Sequence, residues 1–255
     1  MVETGPCGST RAEPERFRVD LCVPEGTFNM GSSSANLGSG HADHTPPHEV
    51  TLSPYVIDAY EVTVSRFRDC VRAGSCTPPA TDPLKGCTYS LESSNADLLP
   101  VSCVTAGQAA TFCEWDEGRR LPTEAEWERA ADDEDANYPW GSVFDCEHAV
   151  IGAGSSCKGQ YPAPMPVGSH ILGRSKLGAF DMSGNVAEWV SDFAGSYSSD
   201  PATDPTGPTT GATRIARGGS YLSIPLDGQV FARATFAGST VGPIGFRCAR
   251  SAGAD

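Results

Sequence analysis

Positive charge is scarce in this chain. Its 255 residues carry 18 Lys and Arg against 32 Asp and Glu, a formal net charge of −14. No basic cluster or stripe offsets that balance locally, which disfavours nucleic acid and anionic membrane surfaces as partners. Long apolar runs are missing as well. Nowhere do about 18 apolar residues follow one another, which excludes a bilayer-spanning helix within this sequence. Residues 1–15 lack the apolar stretch of a secretion signal and any lipobox. Cysteines at the C-x-x-C spacing of a zinc ribbon do not occur.

Backbone punctuation and cysteine, by contrast, are plentiful. The 28 Gly and 20 Pro are spread along the chain, too many for a helical bundle, and point to a loop-rich globular fold. With 39% hydrophobic residues the chain can bury a substantial core, and one domain is expected. Ten cysteines, an even number, read as disulfides. Disulfides persist in oxidising compartments, so a secreted, periplasmic or cell-surface setting is expected, with the native export signal already removed.

Residues 1–18 are polar and weakly patterned and read as an N-terminal tail or linker, with Cys7 paired to Cys22; residues 19–255 form the domain. Short apolar stretches in residues 19–30 and alternation in residues 49–60 predict strands, with a loop over 31–47. Three threonines predict helix starts. Thr63 precedes Val64, Phe67 and Val71 at i, i+3, i+7; Thr105 with Gln108, and Thr123 with Glu126, are capping boxes. Residues 76–100, rich in Pro, read as a stapled loop in which Cys76 bridges to Cys87. Cys146 and Cys157 are close enough to clip a loop. After Tyr138 loops dominate, with brief strands at 214–217 and 246–249.

Several landmarks recur in a telling order: Gly26-Thr27-Phe28-Asn29-Met30-Gly31, Asp58 to Thr63, Gly118 to Glu128, Tyr138-Pro139-Trp140-Gly141, Asp181 to Trp189, Arg217-Gly218-Gly219-Ser220-Tyr221 and Gly245-Phe246-Arg247-Cys248. In order and spacing this series resembles the formylglycine-generating-enzyme (sulfatase-modifying-factor) family. The resemblance implies an α+β fold related to C-type lectins, with little regular secondary structure, and a disulfide between Cys113 and Cys248, which leaves Cys70 with Cys103 by elimination. Without the family name, Arg119, Arg120 and the run from Glu124 to Glu128 read as charges that pin the start of a helix.

In the catalytic family two cysteines follow the Gly-Gly-Ser segment and hold Cu(I), which activates oxygen to oxidise a substrate cysteine. The matching positions here are Ser223 and Gly228. A hydroxyl that scarcely ionises and a residue without a side chain cannot supply linear dithiolate ligation, so no copper is expected. Ser220 is retained, but after two glycines it reads as readily as a turn residue as a nucleophile. The former active-site groove is expected to display Tyr221, Ser223, Asp227, Gln229, Arg233 and Phe236.

A calcium site of the family maps onto Asp181, Gly184, Val186 and Glu188, all offering hard oxygen donors. The competing reading is a structural corner, with Asn185 left-handed, Trp189 in the core and Glu188 paired to an arginine. His41, Asp43, His44 and His48 read as a solvated loop rather than a metal site, and the run 132–135 as solvated charge. The expectation is an extracytoplasmic, non-catalytic domain that binds a peptide, protein or glycan in this groove. The alternative is an oxidoreductase of the same family acting on a cysteine or another small substrate with a metal.

Overall fold

The computed structural model describes residues 7–8, 10–13, 17–33, 44–131, 136–152, 157 and 163–253. Along them run β1 (Ala12–Glu13), β2 (Arg18–Val23), β3 (Gly26–Met30), β4 (His48–Leu52), β5 (Tyr55–Asp58), α1 (Val64–Arg72), α2 (Ala106–Trp115) and α3 (Glu124–Ala131). There follow β6 (Ala187–Phe193), β7 (Ala202–Thr203), β8 (Arg214–Arg217), β9 (Arg233–Phe236), β10 (Ile244–Gly245) and β11 (Ala249–Ser251).

Each helix starts where its threonine predicts. Thr63 Oγ1 accepts from the Arg66 amide at 3.3 Å. Thr105 and Gln108 close a reciprocal box, as do Thr123 and Glu126, whose carboxylate accepts from the Thr123 amide at 2.8 Å. These bonds satisfy amides that the helix itself leaves unpaired.

Three small sheets surround them, in the orders β1-β2-β5-β11, β10-β6-β8-β9 and β3-β4-β7. The second positions the site. Ala216 lies opposite both Trp189 and Ala234, and Arg217 opposite Glu188 and Arg233. Because side chains alternate, one face carries Ala187, Trp189, Ala216, Ala234 and Phe236, and the other carries Glu188, Arg217 and Arg233. α3 covers the charged face. Arg217 donates to Glu124 (2.7 Å) and to Glu128, and Trp127 Nε1 donates to Glu188 (2.8 Å). α2 packs on the apolar face with Phe67, Phe112, Trp189 and Phe246 in one core cluster.

All ten cysteines are paired: Cys7–Cys22, Cys70–Cys76, Cys87–Cys103, Cys113–Cys248 and Cys146–Cys157. Two expected pairings, Cys76 with Cys87 and Cys70 with Cys103, are thereby corrected. After α1 the chain reverses at Gly74 (φ +76°), and the Cys76 amide donates to the Cys70 carbonyl at 3.3 Å, which returns Cys76 to its own helix. Cys87 instead faces Cys103 because Ser102 Oγ donates to the Gly86 carbonyl (2.6 Å) and accepts from the Thr88 amide (3.1 Å).

Three further differences have physical causes. The folded unit extends into the segment read as a tail: β1 pairs with β2, and Arg11 bonds Asp20 and Asp116. The strand expected at 246–249 is displaced, since Phe246, Arg247 and Cys248 lie between β10 and β11. Of the arginines read as pinning α3, only Arg120 does so, on Glu126 at 2.6 Å; Arg119 reaches Asp58 (2.6 Å) and Asp20 (3.2 Å).

Candidate functional site

After β8 the chain turns through Gly218 (φ +83°) and Gly219 (φ +66°), a left-handed pair that favours glycine. A Cβ on Gly219 would also stand 3.0 Å from the Asp227 carbonyl. This tight turn lays Ser220 and Ser223 against the apolar face of the second sheet. The Ser220 amide donates to Ser223 Oγ at 3.0 Å, the Leu222 amide to Ser220 Oγ at 3.3 Å, and the two hydroxyl oxygens are 3.5 Å apart. Asp227 accepts from the Ile224 amide at 3.1 Å.

The result is a trough of about 460 Å³. Its floor is made of alanines from three strands, Ala187, Ala216 and Ala234; Phe236 and the segment 240–244 form one wall, and Ser220, Ser223 and Asp227 the other. Small floor residues leave the depth, and Leu222 (56% exposed) and Ile224 (39% exposed) add apolar surface beside it.

Of the six residues expected here, Ser223, Asp227 and Phe236 line the trough, and Arg233 borders it with its side chain turned to the opposite face of the sheet. Tyr221 and Gln229 do not. Tyr221 is held by its amide on the Asn185 carbonyl (2.9 Å) and packs with Val150 and Cys157. Gln229 is buried beside Tyr138. Arg233 presents no spare charge, because Nε and Nη2 donate to Glu124 at 2.7 and 2.9 Å and Nη1 to the Gly195 carbonyl at 3.0 Å.

Ser223 and Gly228 are the positions expected to correspond to the family's copper ligands. At Gly228 an added Cβ would lie 2.4 Å from Ile151 Cδ1 and 2.6 Å from Ser183 Oγ, so the neighbours occupy the space of a longer side chain. No free thiol exists anywhere in the chain to substitute. Among the described residues no histidine lines the trough, and Ser220 Oγ serves as the acceptor of a local turn.

Beside the trough lies the corner at Asp181 to Glu188. Asp181 (φ +57°) and Asn185 (φ +60°) are both left-handed, and Trp189 is fully buried. Glu188 accepts from Arg247 Nη2 (2.6 Å), Arg247 Nε (2.7 Å) and Trp127 Nε1 (2.8 Å), as the structural-corner reading requires. Sequence reasoning missed Glu61 except as part of a landmark. Its carboxylate accepts from Asn185 Nδ2 (2.6 Å) and the Val186 amide (3.1 Å) and so fixes the turn. Burial pushes the Glu61 carboxyl well above its ordinary range, and Asp181 and Glu188 push it further. Burial likewise raises Asp181 to about 6, against the Gly168 amide that donates to it at 2.6 Å. Three buried carboxylates thus face one guanidinium.

Among the described residues, no three His, Cys, Asp or Glu side chains converge as metal ligands. His41, Asp43 and residues 132–135 lie outside the described residues. His44 and His48, read as part of a solvated loop, are in fact 2% and 9% exposed. They are covered by aromatic neighbours, His44 by Phe231 at 5.5 Å and His48 by Tyr197 at 4.8 Å between ring centroids.

Comparison with known proteins agrees with this architecture. The chain is 33% identical to the formylglycine-generating enzyme of Streptomyces coelicolor, over 98% of this chain and 94% of that one. It is 29% identical to the inactive C-alpha-formylglycine-generating enzyme 2 of Mus musculus, over 91% and 85%. The solved structure of PvdO from Pseudomonas aeruginosa superposes with a TM-score of 0.73 at 26% identity, covering 91% of this chain and 94% of that one. The model of the sulfatase-modifying factor enzyme 1-like domain matches residues 9–252. The chain therefore belongs to the sulfatase-modifying-factor family and has its α+β fold.

Proposed function

We propose that this chain is an extracytoplasmic, non-catalytic binding domain of the family, which holds an extended peptide, protein loop or glycan in the trough between the Gly218-Gly219 turn and Phe236. The observation that carries the reading is Gly228. Where a thiolate would be required there is no side chain, and Ile151 and Ser183 fill the space. Loss of the ligand pair removes soft-metal chemistry but leaves a preformed concave site of small, apolar and hydroxyl-bearing residues, which suits recognition. A relative that is named as inactive gives the reading a precedent within the family. Five disulfides support an oxidising setting outside the cytosol.

The same reading places a structural calcium ion on the carboxylates of Asp181 and Glu188 and the carbonyls of Gly184 and Val186. What supports it is the donor chemistry and the gathering of three buried carboxyl groups, Glu61, Asp181 and Glu188, around the guanidinium of Arg247. Calcium there would stiffen the corner from which Asn185 anchors Tyr221, and with it one wall of the trough.

The test is a peptide and glycan array probed with the parent chain and with Ala234→Trp, which fills the floor. Ligands bound by the parent and lost by the variant are expected. Binding that the variant leaves unchanged, or no reproducible ligand, would contradict the assignment.

A further inference from the structure

The second sheet ends at β9, beside which no further strand lies among the described residues. The register fixes which of its main-chain groups face outward. The Ala194 amide donates to the Thr213 carbonyl at 2.9 Å, so Arg214, next in β8, turns its own amide and carbonyl toward β9, where it pairs with Phe236. Alternation then directs the main-chain groups of Ala234 and Phe236 inward to β8, and those of Arg233 and Thr235 outward. Arg233 is buried, whereas Thr235 stands at the surface, its amide and carbonyl unpaired among the described residues.

Other edges in the molecule are covered. Arg120 exchanges both main-chain bonds with Ala249 of β11 (2.9 and 2.7 Å), and the Val101 carbonyl closes against Gly245 of β10, 2.6 Å from where a Cβ would stand. Exposed edges are commonly guarded by lysine, proline, a bulge or a charge. In β9 the only charged residue, Arg233, is committed to Glu124 on the opposite face, and the β8–β9 register is unbroken. From Ala234 to Ile244 no residue is charged, in a chain of net charge −14.

This edge is continuous with the trough, since Ala234 and Phe236 turn their side chains into it. On the β10 side the turn at Gly86 sits between Tyr221 and Pro243, an added Cβ standing 2.6 Å from the Tyr221 hydroxyl and 3.5 Å from Pro243 Cβ, and so bridges the two walls. An amide and a carbonyl presented together by an extended strand are complementary to another extended main chain. We propose that the ligand of the trough is an extended peptide that joins β9 as an added strand, pairing with the main chain of Thr235 and laying the side chains on either side of that pair over Ala234 and Phe236. The inference rests on the trough as the binding site and selects the peptide among the ligand classes given above.

The peptides that the full chain captures on the array are resynthesised with one N-methyl amino acid at each position in turn, which leaves the protein untouched. Methylation at the residue paired with Thr235 is expected to weaken binding by about tenfold or more, and at its two immediate neighbours, whose amides point away from β9, by less than about threefold. Thr235→Pro, which removes an outward amide and no ladder bond, should weaken the same peptides by about tenfold, and Thr235→Ala should not. Peptides lost on Ala234→Trp yet indifferent to N-methylation and to Thr235→Pro would overturn the added strand and leave the trough standing, as would capture of glycans alone. Capture of neither would overturn both.

Discussion

Gly228→Ala is the simplest probe of whether position 228 has room for a side chain. One methyl group is added where Ile151 Cδ1 and Ser183 Oγ lie 2.4 and 2.6 Å from the ideal Cβ. Ser183 Oγ has no hydrogen-bond partner and can rotate aside, but Ile151 is fully buried and must shift with its neighbours. Overpacking of this kind costs about 1–3 kcal/mol. Against it stands the stiffer unfolded chain, worth about 0.4–1 kcal/mol in alanine's favour. The net loss of about 1–2 kcal/mol corresponds to a melting temperature lower by about 2–8 °C for a domain of this size. Ser223→Cys, at a half-buried position where only the hydrogen bond from the Ser220 amide is weakened, should cost less than about 1 kcal/mol. Differential scanning calorimetry of the two variants decides the matter. A Gly228→Ala protein as stable as the parent would refute the argument, because the cysteine would then be missing from a space still open to it.

Other consequences can be measured separately. Burial, and next the nearby Glu124, raise Asp192 to about 6 from an ordinary 3.8, so the native state holds this proton more tightly than the unfolded chain. Its contribution to stability must then fall as pH rises from about 4 to about 6, and Asp192→Asn should stabilise by about 1–3 kcal/mol at pH 8 yet change little at pH 4, as read by urea melts at both. Equal effects at the two pH values would contradict that sign. Removing Cys113–Cys248, which closes a separation of 135 residues, should cost about 5 kcal/mol, against about 2 kcal/mol for Cys70–Cys76 with its separation of 6. Paired Cys→Ala variants in chemical denaturation check the order. For calcium, saturation at about 100 times Kd adds about 2.7 kcal/mol, so chelation should lower the melting temperature by about 5–10 °C, restored by calcium and not by magnesium. A melting curve indifferent to chelator would leave Arg247 as the only counter-charge to Glu188.

The helices were legible because their signals are local: Thr63, Thr105 and Thr123 each sit beside the amides they cap. β6 was not, because its first four residues are all buried and Glu188 interrupts any alternation, its charge being met by Arg247 from far along the chain. Disulfide partners divide the same way. Cys146–Cys157 follows from proximity, whereas Cys70–Cys76 depends on how α1 ends, which spacing does not encode. In the trough, the hydroxyl and carboxylate wall could be named from the landmarks. The floor could not, since Ala187, Ala216 and Ala234 carry no chemical signature until β-pairing aligns them. Tyr221 and Gln229 were misplaced because polarity says nothing about which side of a turn a side chain takes.

The most direct test of the central claim is chemical. The purified chain, supplied with Cu(I), oxygen and a cysteine-containing sulfatase peptide, is incubated and the peptide is read by mass spectrometry for conversion of cysteine to the aldehyde. With an alcohol at position 223 and no side chain at 228, the account predicts unchanged peptide. Copper-dependent formation of the aldehyde would contradict it.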